Sequence, residues 1–332
     1  MVPCTVAIPV YNRRNPALNR VALESALAQP MPDLEILVID DCSTDGTWQI
    51  LQTYRDPRLR LVRNDCNIGL FANWNRCLYL AQGRYLRILC SDDKLVAGSI
   101  NREIEIMEAH SNVVLVSTRG IRVDESGRIL GTQAGHFRPG IYRGQEAINA
   151  VLWVLVHYAH NPLNYPSGVL LRREDVLRAG GFDTRMRMLG DVDLFLRVLE
   201  QKELAVLDAV GCEITIHGGQ EGVRLTGDDA PLRELLAITK RYEQLLRREG
   251  SYNRIMEQFN AYALGLAFKY WRMGMRKEGR VHLEIARTNK ARLAQTVFGV
   301  ARLLGLRLLL KVAGVRFVPA QPIRPLRRSI VS

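Results

Sequence analysis

Neither of the short glycine-rich signatures that hold phosphates is present. The first strand-like run, CTVAIPV at 4–10, leads into Tyr11-Asn12-Arg13-Arg14 rather than G-x-G-x-x-G, and no G-x-x-x-x-G-K-[ST] occurs anywhere. A dinucleotide fingerprint and a P-loop are therefore excluded. The six cysteines, Cys4, Cys42, Cys66, Cys77, Cys90 and Cys212, contain no C-x-x-C pair and follow no secretory signal, so a reducing, cytoplasmic setting is expected. No apolar run reaches the roughly 18 residues of a spanning helix. The most apolar late stretch, Leu293 to Gly314, is interrupted by Arg302, Arg307 and Lys311. Acidic residues are missing altogether after Glu284.

What is present is a chain of 332 residues, 47% hydrophobic, long enough for a large core in one domain with an appendage, or in two domains. Its net charge of +12 is concentrated late. Residues 1–230 carry 25 Lys/Arg against 28 Asp/Glu, whereas 231–332 carry 21 against 6. An anionic partner, a membrane surface or a nucleic acid, is expected to meet the C-terminal third.

Strand-like runs at 4–10, LEILVI (34–39), LRLV (59–62) and RYLRIL (84–89) alternate with helical segments PALNRVALESALAQ, TDGTWQILQTY and FANWNRCLYLAQG, the second with Ser43 or Thr44 as its N-cap. This alternation predicts a mostly parallel α/β sheet flanked by helices, which binds ligands at the C-terminal ends of its strands. All four strands exit into polar residues: Tyr11-Asn12, Asp40-Asp41-Cys42-Ser43, 64–69 (NDCNIG) and Ser91-Asp92-Asp93. Two adjacent carboxylates on a strand end suit an oxygen-seeking Mg²⁺ or Mn²⁺ that also binds substrate phosphates. Asp92 could equally N-cap a helix starting near Val96.

VAIPVYN (6–12), VIDDCSTDGT (38–47), 64–93, PSGVLLRRE with GGFD (166–174, 180–183) and GDVDLFLRV (190–198) resemble, in order, the motifs of the family 2 glycosyltransferases. The resemblance implies a GT-A fold over residues 1–225, with 226–332 as a basic helical extension. It also implies inverting transfer of a sugar from a nucleotide-sugar to a hydroxyl. Pro9, Tyr11 and Asn12 would lie under the base, Asp41 would accept its imide, and Asn67 and Gly69 would form the loop beside the donor. Asp92 would ligate the metal on the diphosphate, with Asp93 and His217 as further candidate ligands. Asp191 would be the general base that a sugar hydroxyl requires, although in LGDVDLFLRVLEQ it could instead cap the helix. Asp193 is expected to turn outward or steady a neighbour. Ser167 and Gly168 would approach the acceptor, and Trp153, Tyr158 and Tyr165 could stack on a sugar. UDP-sugar is the donor favoured by Asp41, with dTDP- and GDP-sugars open. A glycan or lipid-linked acceptor of cell-surface polysaccharide synthesis is implied.

Three positions depart from the family pattern: Cys90 replaces the usual first acid of the D-x-D element, Trp74 a frequent Arg, and Gly190 a frequent Glu. IRVDESGRIL reads as a hairpin, and AVLWVLVHY (150–158) as a buried or groove-lining helix. After Pro231 the chain reads as helices, the last one basic and leucine-rich. Residues 291–328 therefore suit an anionic membrane surface, with peripheral association at the inner face, or a packing partner such as a second copy. A nucleotidyltransferase would need a glycine-rich loop after the first strand. A nonenzymatic nucleic-acid-binding protein would need basic and aromatic residues interleaved in the tail. Neither pattern occurs, and no nucleic-acid partner is expected.

Overall fold

A computed structural model describes residues 2–12, 16–133, 136–158, 161–218 and 228–288. The first half follows the sequence pattern. Strands β1 (Cys4–Val10), β2 (Glu35–Asp40), β3 (Leu59–Arg63) and β4 (Tyr85–Ile88) are joined by α1 (Pro16–Leu27), α2 (Thr47–Leu51) and α3 (Leu70–Leu80). They pair in parallel in the order β3-β2-β1-β4. Every residue of β1 and β2 is buried, as expected of strands covered on both faces. The short α2 is not capped by Ser43 or Thr44. Gly46 precedes it with φ +88°, and Asp45 Oδ1 accepts the Thr47 N–H at 3.1 Å.

Beyond β4 antiparallel strands join the sheet. After β5 (Lys94–Leu95) and α4 (Ser99–Ala109), β6 (Val113–Asp124) turns back through β7 (Ile129–Gln133) in the expected hairpin. Asp124 Oδ1 closes that turn by accepting the Ser126 and Arg128 N–H groups, both at 3.0 Å. Next come β8 (Gly140–Arg143), α5 (Gly144–Tyr158), β9 (Val169–Arg172), α6 (Arg173–Arg178), α7 (Gly190–Leu199) and β10 (Glu203–Ile216). Strand β9 runs antiparallel to both β4 and β6 and so joins the two parallel sets, β1–β4 and β6/β10.

Among the described residues, four helices follow: α8 (Ala230–Arg241), α9 (Glu243–Arg248), α10 (Tyr252–Arg272) and α11 (Arg276–Thr288), the last two separated at Gly274, φ +77°. Their Leu232, Ile238 and Phe259 belong to the same buried cluster as Leu37, Ile88 and Leu115 of the sheet. The boundary expected at 225/226 falls outside the described residues. No described helix is long and apolar enough to cross a membrane. The basic segment 291–328 lies outside the described residues.

Candidate active site

The polar strand exits do converge, and hydrogen bonds lace them together. The Asn12 N–H donates to Ser43 Oγ at 2.9 Å and Asn12 Oδ1 accepts the Thr44 N–H at 2.8 Å, tying the β1 exit to the β2 exit. Asn12 takes φ +40°, a region asparagine tolerates better than most residues. Pro9 is buried beneath, and Tyr11 stands 46% exposed, with an open ring at the rim.

Asp41, only 2% exposed, collects four donors. Asn64 Nδ2 and the Ile68 N–H reach Oδ1 at 2.7 and 2.9 Å, while Asn67 Nδ2 and the Gly69 N–H each reach Oδ2 at 3.0 Å. A carboxylate offers about four acceptor positions, so Asp41 organises the 64–69 loop first, and a base imide would have to share an oxygen. Gly69 takes φ +89° with open space where a Cβ would lie; its backbone angle is the constraint.

The adjacent acids at the β4 exit separate in role. Asp92 Oδ2 lies 2.8 Å from His217 Nε2 at the end of β10, and the helix that Asp92 could have capped begins only at Ser99. Asp93 is bound on both oxygens: Oδ2 accepts the Ser167 hydroxyl at 2.6 Å and Oδ1 the Thr215 N–H at 3.1 Å. It braces the strand end against Ser167 and β10. Ser167 is fully buried and also accepts the Cys90 N–H at 3.0 Å. Gly168 is buried too, and a Cβ there would lie 1.9 Å from Asn164 Nδ2. Ser167 and Gly168 therefore lie beneath the rim and shape the acidic loop, where an acceptor contact was expected.

Asp191 and Asp193 flank the core residue Val192 at the start of α7. Asp191 sits in the first turn, and Leu189 at the N-cap position contributes no side-chain hydrogen bond. The N–H groups of the three residues ahead of the helix, Arg187, Met188 and Leu189, donate to Glu234 of α8. Glu234 thus holds the residues that lead into the helix, while the Asp191 carboxylate itself receives first-turn N–H groups. Burial pushes its pKa up to about 6, against the lowering effect of the Val192 N–H, its own N–H and Asn161. Asn161 Nδ2 donates to it across a long 3.5 Å. Asp193 turns inward, fully buried, and pairs with Arg197 at 2.8 Å and with Arg241. It steadies neighbours as expected but does not turn outward.

Tyr165 connects the two acidic centres. It is 40% exposed, and its hydroxyl pKa is raised by burial and then by Asp191, with Asp93 and Cys90 adding to the same effect. Trp153, by contrast, packs against the core and faces Arg254 and His157; the Tyr158 side chain lies outside the described part of the structure. The departures at 74 and 190 form one packing unit. Trp74 packs edge-on to Phe71 and Phe182, and a Cβ at Gly190 would lie 2.6 Å from the Phe71 ring.

Among the described residues no three His, Cys, Asp or Glu converge on one point. Asp92 and His217 nevertheless fit a divalent ion as a pair, leaving its other positions to phosphate and water. Sequence reasoning missed Asn161, Glu234 and Arg241. An acid or arginine on an amphipathic helix reads as solvated surface until its tertiary partner is known.

A sheet of this topology, with an acidic pair at a central strand end and a buried carboxylate opposite, defines a GT-A nucleotide-sugar-binding fold. Residues 5–173 match the family model described as glycosyl transferase family 2, and the chain belongs to that family. It is 33% identical over 198 residues to the uncharacterized protein MT1568 of Mycobacterium tuberculosis, covering 59% of this chain and 61% of that one. It is 36% identical over 104 residues to UDP-Glc:alpha-D-GlcNAc-diphosphoundecaprenol beta-1,3-glucosyltransferase WfaP of Escherichia coli, covering 31% and 41%. The chain thus spans about three fifths and two fifths of these relatives. S. aureus TarS 1-349 in complex with UDP-GlcNAc superposes with a TM-score of 0.56 at 16% identity over 86% of this chain and 92% of that one, a likeness of fold.

Proposed function

We propose that the chain is an inverting glycosyltransferase that moves a sugar from a UDP-sugar to a hydroxyl of a lipid-linked glycan, in the synthesis of a cell-surface polysaccharide. The observation that carries this reading is Asp191, a carboxylate buried at the start of α7 whose pKa burial pushes up to about 6, and whose charge is felt by the same tyrosine as that of the acidic strand end. Asp191 accepts the proton of the attacking hydroxyl as it approaches the anomeric carbon. Tyr11 stacks on the base, Asp41 holds the 64–69 loop against the donor, and Tyr165 forms a wall for a sugar ring. Asp92 and His217 would hold Mn²⁺ or Mg²⁺, which would supply positive charge against the departing diphosphate. The glucosyltransferase activity of WfaP and the UDP-GlcNAc complex of TarS support the choice of donor and of a lipid-linked acceptor.

Calorimetric titration with UDP, dTDP, GDP and ATP, each with Mn²⁺ and with EDTA, tests the donor and the metal together. One nucleoside diphosphate is expected to bind with a Kd at least about tenfold tighter with Mn²⁺, and Asp92→Ala to remove that difference. Binding that ignores both EDTA and Asp92→Ala would remove Asp92 and His217 from the metal assignment.

We further propose that 291–328 hold the protein peripherally on the inner face of the membrane, since this stretch carries Arg and Lys without a single acid. Deleting residues 291–332 is expected to reduce sedimentation with anionic liposomes by severalfold, without affecting nucleotide binding. Unchanged sedimentation would return the segment to protein packing.

A further inference from the structure

The helix carrying Asp191 is splinted along its length by α8 and the residues on either side of it, a segment that follows only after β10. An α-helix leaves its first N–H groups without internal partners, and a Ser, Thr, Asp or Asn beside the helix normally serves them. The N-cap position of α7 is Leu189, which offers no side-chain acceptor. Glu234, 9% exposed on α8, instead anchors the three residues that lead into the helix and end at its N-cap: Oε1 accepts the Arg187 N–H at 2.5 Å and Oε2 the Met188 and Leu189 N–H groups at 3.1 and 2.8 Å. The same region grips α7 twice more. Arg241 pairs with Asp193 one turn in, and the Tyr242 hydroxyl donates to Glu200 at the far end at 3.0 Å. Arg187, one of the three donors, is itself held by Asp228 at 2.5 Å.

We infer that Glu234 is a positioning residue for sugar transfer, fixing the N-terminal turn of α7 so that the Asp191 carboxylate meets the incoming hydroxyl. This rests on the reading of Asp191 as the base. The carboxylate is the right group for the task, because it satisfies three donors at once and places negative charge at the positive end of the helix. Burial of Leu232, Leu235 and Ile238 in the main core prevents α8 from drifting. Misplacement of a reacting group by about 1 Å can cost about 100-fold in rate, so the effect of losing this anchor should fall on turnover.

The test measures hydrolysis by the full chain of whichever of UDP-glucose, UDP-galactose, UDP-GlcNAc, dTDP-rhamnose and GDP-mannose the wild type cleaves fastest, with Mn²⁺. Glu234→Gln, which keeps one acceptor oxygen but sets an amide NH₂ against at least one of the N–H donors and removes the negative charge, is expected to lower kcat by about 10- to 100-fold with donor KM within about twofold. In an Asp191→Asn background the same change is expected to have no further effect, since residues acting as a unit are non-additive. An unchanged kcat, a proportionate rise in KM, or full additivity with Asp191→Asn would each overturn the positioning role. Retained activity in Asp191→Asn alone would remove the base reading and this inference with it, and is distinguishable because it appears without any change at 234. If Glu234→Gln does not fold, Glu234→Asp carries the same measurement with the charge retained.

Discussion

Asp191→Asn is expected to reduce sugar transfer by about 100- to 10,000-fold, the range that a positioned general base contributes, and to leave the Kd for the nucleoside diphosphate within about twofold. The pH profile should carry the same signature. A base works deprotonated, so with a pKa near 6 the wild-type kcat/KM should fall about tenfold per unit as pH drops below about 6. The stability consequence has the opposite sign to that of a typical folded-state carboxylate. The folded pKa is raised above the ordinary value of 3.8, so the native state holds a proton that the unfolded chain has already released. Stability is therefore lost as pH rises from about 4 to 6, and above that window the ionised, buried Asp191 carries a penalty on the order of 2–3 kcal/mol. The amide carries no charge, so Asp191→Asn should melt higher than the wild type at pH 7–8 and alike near pH 4. Loss of activity with gain of stability is the mark of a functional group held in an unfavourable place. Equal loss of nucleotide binding and turnover, or a lower melting temperature at pH 8, would sink the assignment.

The contrast between Asp191 and Asp193 shows how far the sequence could be read. The fold was legible where local pattern decides it. Strands β1 to β4 are continuous apolar runs ending in polar clusters, and their pairing follows from the helices between them. The antiparallel β9 was not, because four buried residues, VLLR, carry no information about direction. Of the site, the strand-end residues were legible, since chain order alone brings them to one rim. The division of labour within each acid pair was not. Asp92 against Asp93 is decided by Ser167 and Thr215, and Asp191 against Asp193 by Glu234 and Arg241. These contacts span 45 to 122 residues of sequence. The Trp74 and Gly190 departures likewise read as two separate anomalies until Phe71 is seen filling the space between them.

Glu103→Ala is expected to destabilise the protein by about 3–5 kcal/mol, because it leaves a buried guanidinium without its counter-charge. Arg87 of β4 and Glu103 of α4 are both fully buried and ion-paired. Burial lowers the Arg87 pKa only to about 10, so at neutral pH the residue remains a cation in the sheet interior. Among the described residues neither Arg87 Nε nor Glu103 Oε1 has a hydrogen-bond partner, so the pair is incompletely compensated even when intact. Replacing both, as Arg87→Met with Glu103→Leu, should therefore recover most of the stability lost in the single variant. Function should not recover with it. Arg87 Nη1 also donates to the Ser167 carbonyl at 2.7 Å, and the Ser167 hydroxyl in turn holds Asp93 and the Cys90 N–H. The double variant should fold with near wild-type resistance to urea yet bind the nucleoside diphosphate severalfold more weakly in Mn²⁺, because the strand end beneath Asp92 has lost its anchor. If the double variant instead matched the wild type in both urea midpoint and Kd, the buried pair would be a feature of the core alone. If it were as unstable as Glu103→Ala, the Ser167 contact would outweigh the ion pair itself.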